Sequence, residues 1–357
     1  IRAEGTVFSD DEVLKILSID GDMELSGVSV KYLSSMPPVQ KTEAYIKFDK
    51  ENFNVFISSG HSELLNISDS SVLISGLDKY DQIANIVVKV DGKLEDKLTY
   101  LDRNPLNYTS AVGVDSKNTQ GFAETKLKLN FIIENQLTLN DIKISSQSLV
   151  KNFAASKILF GHDLKGGPIK IDVDKEGMDV SGKVTIGKIP LKLSWRENFN
   201  SNGSFKRRYK IKPHISNMKQ INELDLNLNF ESITKKYIRG GVDAEVDYTI
   251  FTDDKRRLQI KVDLLNSELK ASAFGWSKMR NIPGRASITI DFERDLISNI
   301  PTFSIDSSDL KVMGQIGFEK GSGKLNRIDF QKIIYGRTDI KGALTPRKVD
   351  GWDARFY

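Results

Sequence analysis

Cysteine is absent from the 357 residues, which excludes disulfides, thiolate nucleophiles and zinc–thiolate sites and leaves the cytoplasm and the bacterial periplasm equally open. Histidine is scarce: His61, His162 and His214 stand far apart, with no metal-ligand spacing and no nucleophile motif beside them. No metal, no cofactor and no enzymatic centre is therefore expected. Long hydrophobic runs are missing, since stretches such as Ile83–Val90 fall far short of the roughly 20 residues a spanning helix needs. Charge of one sign is also lacking. The 52 basic and 48 acidic residues are mixed along the chain and leave +4, which is not the field of a nucleic-acid binder. The chain opens at Ile1 without an initiator methionine, a basic n-region or an apolar h-region, so it reads as a segment from which a signal peptide or anchor could have been removed or left out.

What is present is period two. With 39% hydrophobic and 28% charged residues the chain has enough apolar surface to fold, and that surface alternates. Leu127, Leu129 and Phe131 in KLKLNF, Ile169, Ile171 and Val173 in IKIDV, and Leu191, Leu193 and Trp195 in LKLSW each fall on one side of a strand. The same pattern places Leu224, Leu226, Leu228 and Phe230 on one side of LDLNLNF. It continues with Val242, Ala244, Val246, Tyr248 and Ile250, then Leu258, Ile260, Val262 and Leu264, then Ala286, Ile288, Ile290 and Phe292. Turn signals such as Asp91-Gly92, Glu176-Gly177, Asn202-Gly203 and Gly321-Ser322-Gly323 lie between the strands, as antiparallel hairpins require.

Helical pattern is confined to Lys93–Asp102, where Leu94, Leu98 and Leu101 share a face before Pro105, with weaker candidates at Asp11–Ile16 and Ile233–Ile238. Alternating strands introduced by glycine or proline recur from Gly121, Gly240 and Pro283. They suggest one continuous repeated segment over 1–357, with repeat limits near 108, 240 and 283. The expected fold class is all-β: an elongated, curved antiparallel sheet of about 25 strands with one or a few short helices. Its apolar side must be covered by a second sheet, by closure into a barrel, or by an apolar ligand. Periodicity does not choose among these, and an array of β-sandwiches is the plain alternative.

Four stretches point to one of the three. Tyr32–Asp49 (YLSSMPPVQKTEAYIKFD), Ser71–Tyr108 with its Gly-Leu-Asp and Leu-Asp-x-x-Pro-Leu signatures, Gly113–Phe131, and Phe160–Phe199 with Trp-x-Glu-x-Phe together resemble the central region of the YhdP-type, AsmA-like proteins of Gram-negative bacteria. The resemblance covers about the first 200 residues; the remainder is similar in style. It implies a periplasmic β-groove attached to the inner membrane by an anchor outside this chain, through which phospholipids move toward the outer membrane. The groove-lining candidates are then Leu127, Leu129, Phe131, Ile169, Ile171, Val173, Leu191, Leu193, Trp195, Leu226, Leu228, Phe230, Val246, Tyr248, Ile250, Ile260, Val262, Leu264, Ile288, Ile290 and Phe292, the partner is phospholipid, and a monomer is expected. An envelope scaffold that binds proteins by strand addition is the alternative function.

Other patterns imitate sites. Asp172–Lys183 (DVDKEGMDVSGK) has the offsets of a calcium loop but Lys183 at the twelfth position, where a bidentate glutamate is needed, so it reads as a hairpin. Gly317–Leu325 (GFEKGSGKL) has the wrong glycine spacing for a phosphate-binding loop and Leu325 in place of Ser/Thr. The basic run Lys206–Lys212 (KRRYKIK) suits phosphate of a nucleic acid or lipid head group, yet reads more simply as the polar face of a strand whose other side carries Phe205, Tyr209 and Ile211. Asp253-Asp254 sits in turn context.

Overall fold

Alternation becomes architecture through hydrogen-bonded neighbours. The computed structural model describes residues 1–357 except 9–12, 33–34, 105, 107–114, 160–161, 201–202, 223–236, 273–274 and 348–350. Among them are 23 strands, twenty in a large antiparallel sheet that does not close on itself and three in a small one. The all-β class expected from period two is therefore what forms. The chain divides into two compact units, Ile1–Ser156 with Gly166–Glu176, and Lys157–Lys165 with Gly177–Tyr357.

The first unit is built from β1 (Arg2–Phe8), β2 (Val13–Val30), β3 (Val39–Asp49), β4 (Asn52–Ser62), β5 (Leu65–Ser75), β6 (Ile83–Lys93), β7 (Thr119–Ile132) and most of β8 (Lys143–Leu159) and β9 (His162–Asp174). From β1 to β8 each strand pairs antiparallel with the next. Register shifts in β2–β3, β3–β4 and β5–β6 bend the ladder locally. Helix α1 (Leu94–Leu101) follows β6 and matches the expected segment; Glu95 and Asp96 in its first turn favour the positive end of the helix dipole. The helix expected at Asp11–Ile16 does not form: β2 begins at Val13, and Val13 pairs with Phe8. Cross-strand pairing overrides a weak local signal there.

The second unit runs β10 (Gly177–Ile186), β11 (Ile189–Asn198), β12 (Arg207–Ile215), a short α2 (Lys219–Asn222), β13 (Ile238–Gly240), β14 (Val242–Ile250), β15 (Arg256–Asp263), β16 (Ser267–Ala271), β17 (Trp276–Lys278), β18 (Gly284–Glu293), β19 (Leu296–Ser307), β20 (Leu310–Phe318), β21 (Leu325–Tyr335), β22 (Thr338–Pro346) and β23 (Trp352–Phe356). β13, β16 and β17 form the three-stranded sheet; the others pair antiparallel in chain order from β10 to β23. The helix candidate at Ile233–Ile238 falls largely outside the described residues, and Ile238 itself opens β13.

Buried side chains gather at one end of these strands. Val184, Ile186, Ile189, Leu191, Ile215, Met218, Val242, Leu264, Leu269 and Trp276 are all buried. The ammonium of Lys278, itself buried, donates to the carbonyls of Leu264, Ser267 and Met279 at 2.6, 2.8 and 3.1 Å. These bonds tie the small sheet to the end of β15 and satisfy a charge that would otherwise be costly to bury.

Candidate apolar ligand-binding face

Residues directly opposite each other in an antiparallel pair share a face, so the registers assemble the candidates into transverse rows. In the second unit one row reads Leu193–Ile211–Val246–Ile260–Ile288–Phe303–Gly314–Phe330–Gly342–Phe356. A parallel row toward the buried end reads Leu191–Pro213, then Ala244–Val262–Ala286–Ile305–Val312–Ile333–Ile340. A third, on the other side, reads Trp195–Tyr209–Tyr248–Leu258–Ile290.

Phenylalanine alternates with glycine along the end of the first row for a steric reason. A Cβ on Gly314 would lie 2.6 Å from the Phe303 ring, and one on Gly342 would lie 2.2 Å from that of Phe356. The rings lie over neighbouring glycines, and Phe330 packs edge-on to Phe303 at 5.9 Å between centroids.

The degree of burial is the telling property. Leu193, Trp195, Ile211, Val246, Tyr248, Ile250, Ile260, Val262, Ile288, Ile290, Phe292, Phe303 and Phe330 are half-buried, whereas Leu191 and Leu264, at the closed end, are buried. Two packed sheets would bury such rows almost completely. Here the apolar face is dry at one end and partly open along its middle.

The opposite face is charged in complementary fashion. Lys212 pairs with Glu245, Arg196 with Asp179 at 2.7 Å, Arg257 with Asp291 at 2.6 Å, and His214 Nδ1 lies 2.6 Å from Asp243. The Lys212 ammonium holds the Glu245 carboxyl below its ordinary range. The exposed pairs among these contribute little stability each; Arg257–Asp291 is part-buried, and Thr249 and Thr289 on this polar face are buried.

The first unit repeats the design. Met23–Ile46–Val55–Val72–Ile86–Leu129–Ile144 forms one row, and Phe48–Phe53–Ile74–Ala84–Phe131 another. Ile46 and Ala84 are buried; Val55, Val72, Ile86, Leu127, Leu129, Phe131 and Ile144 are half-buried. In β9, Ile169 is buried and Ile171 and Val173 are half-buried. Helix α1 lies at the Val90–Thr125 end: the buried Lys97 donates to Val90 O at 2.6 Å and to Thr125 Oγ1 at 2.8 Å, and burial pushes its amine down to about 8.

Leu226, Leu228 and Phe230 lie outside the described residues. The calcium-like segment forms the ends of β9 and β10, with Asp174 Oδ1 accepting from the Glu176 N–H at 2.8 Å. Gly317–Leu325 is the β20–β21 hairpin, closed by Glu319 N–H to Lys324 O at 2.8 Å. Asp253 pairs with Lys255 in the β14–β15 turn at 2.6 Å. Among the described residues no three His, Asp or Glu side chains are grouped to hold a metal, and no helix is long and apolar enough to cross a membrane.

The basic run in β12 departs from expectation at one residue. Arg208, Lys210 and Lys212 face the polar side, but Arg207 shares the side of Tyr209 and Ile211. It binds the buried Glu197, its second contact at 3.0 Å, and lies 5.7 Å from the Trp195 ring centroid. The Trp195 indole also donates to Glu197, at 3.1 Å. The row beyond the aromatic one is thus Glu197–Arg207–Ile250–Arg256–Phe292. Next to it opens a cleft of about 740 Å³ lined by Ile250 and by charged residues of the β14–β15 and β18–β19 turns. Alternation already puts residue 207 on the side of Phe205, Tyr209 and Ile211; its partner Glu197 is given only by the register.

No protein-family model, curated protein or solved structure matches the chain.

Proposed function

We propose that the chain is a lipid-binding segment of a bacterial envelope protein, holding phospholipid acyl chains on its half-buried apolar rows on their way across the periplasm. The observation that carries this reading is the open middle of the second unit's face: Val246, Ile260, Ile288 and Phe303 meet in register yet stay half-buried. Each methylene moved from water is worth about 0.8 kcal/mol, so a sixteen-carbon chain lying across these rows, along the strands, gains on the order of 10 kcal/mol. No catalytic group is needed. The YhdP-type, AsmA-like resemblance supports the same reading and supplies the compartment. The expected result is that organic extraction of purified protein yields phospholipid in near-stoichiometric amount. A lipid-free protein that also fails to take up phospholipid from vesicles would refute it.

A second reading has its own observation. β23 pairs with β22, and all five of its residues are exposed. Among the described residues no strand pairs with the other side of β23, and such a side is suited to strand addition by a protein partner, the envelope-scaffold alternative. A lipid-free chain that captures an extended peptide along β23 would favour it.

A further inference from the structure

Polarity along the strands of the second unit changes in steps. The closed end is apolar, the middle rows are aliphatic, then come Trp195, Tyr209 and Tyr248, with ring centroids 5.5 and 6.4 Å apart. Beyond them Arg207 and Arg256 flank Ile250 on the same face. Aromatic side chains with a polar tip suit a boundary between an apolar and a wet region, and guanidinium suits phosphate oxygens. The order is that of an amphiphile lying with its tail toward the closed end.

At the wet end the cleft carries charges of both signs. Lys206, Lys255 and Arg294 line it together with the two arginines, against the carboxylates of Asp253, Asp254 and Glu293. Arg207 is committed to Glu197, and Arg256 contacts Asp295 at 3.0 Å, a carboxylate 90% exposed and therefore easily exchanged for another anion. A purely anionic ligand would meet repulsion from Asp254 and Glu293. A phosphate joined to an ammonium would meet cations and carboxylates in turn.

We propose that this cleft is a head-group subsite for a zwitterionic phospholipid, with Arg256 and Arg294 on the phosphate and Asp254 and Glu293 on the ammonium. The assignment rests on the acyl-chain reading of the adjoining rows and names the chemistry of the head that goes with them. Arg207 is the positioning residue that fixes the edge of the aromatic step.

The test measures binding of phosphatidylethanolamine, phosphatidylglycerol and diacylglycerol, each carrying the same fluorescent acyl chain, to the full chain and to variants. The wild type should bind phosphatidylethanolamine about tenfold tighter than diacylglycerol, the effect expected of one retained charge-assisted contact. Arg256→Gln with Arg294→Gln should erase that difference while leaving diacylglycerol binding unchanged. Asp254→Asn with Glu293→Gln should erase the preference for phosphatidylethanolamine over phosphatidylglycerol. Lys261→Gln, on the polar face, serves as the folding control. Equal binding of all three lipids by the wild type, or unchanged preferences in the variants, overturns the subsite and leaves the acyl-chain reading standing. Failure to bind any of them overturns both. Inorganic phosphate that competes as strongly as the complete lipid marks a free-phosphate site and overturns the lipid assignment.

Discussion

Val262 and Lys261 are neighbours in β15 on opposite faces, and together they separate a ligand-holding face from an ordinary core. Val262 sits between Ala244 and Ala286 and is half-buried; Lys261 lies between Glu245 and Ser287 and is exposed. A carboxylate at 262 reaches water when the face is empty, so Val262→Asp should fold with a loss of about 1–2 kcal/mol in denaturant melts and carry little lipid. In a sealed sandwich the same change would leave the protein insoluble. Lys261→Asp should alter neither property. Arg207 makes a contrasting prediction, because its partner Glu197 is 5% exposed. Arg207→Met strands that carboxylate and should cost about 3–5 kcal/mol in the same melts; a loss below 1 kcal/mol would mean that the pair is not a buried one. The alternation that placed Val262 was legible in the sequence. The partners of Arg207 were not, since Glu197 lies ten residues away across a hairpin and only register brings the two together.

Among elements, the long alternating strands and α1 could be read directly, because each carries its own periodicity. The start of β2 could not. Its pairing with β1, Val13 against Phe8, is a contact between strands that no local pattern encodes. Helix α1 is tied down by a buried ammonium, which makes its stability respond to pH. The folded-state value for Lys97 is about 8, below the ordinary 10.5, so the unfolded chain binds more protons between these values and stability rises with pH there. Wild-type stability, measured by denaturant melts from pH 8 to pH 10, should therefore increase relative to Lys97→Met, which lacks the titration. Above pH 10 the trend opposes itself: burial and the Tyr100 contact raise the Tyr32 hydroxyl above its usual range, and a group held protonated in the fold costs stability as pH climbs. A Lys97→Met difference that is flat across pH 8 to 10 would place the amine in water.

At the scale of the molecule, period two foretold strands and faces but left open what covers the apolar side. That choice depends on pairings and on burial, neither of which alternation encodes. In each unit the registers line up apolar residues across many strands and leave the middle of the face half-buried. The claim that acyl chains lie there is tested most directly by photo-crosslinking in cells. A benzophenone amino acid is placed at Ile260 or Leu129, on the apolar rows, and at Lys261 or Lys128, on the opposite faces. Phospholipid adducts at Ile260 and Leu129, with none at Lys261 or Lys128, are the predicted result; lipid adducts equally frequent on both faces, or absent from all four positions, would contradict it.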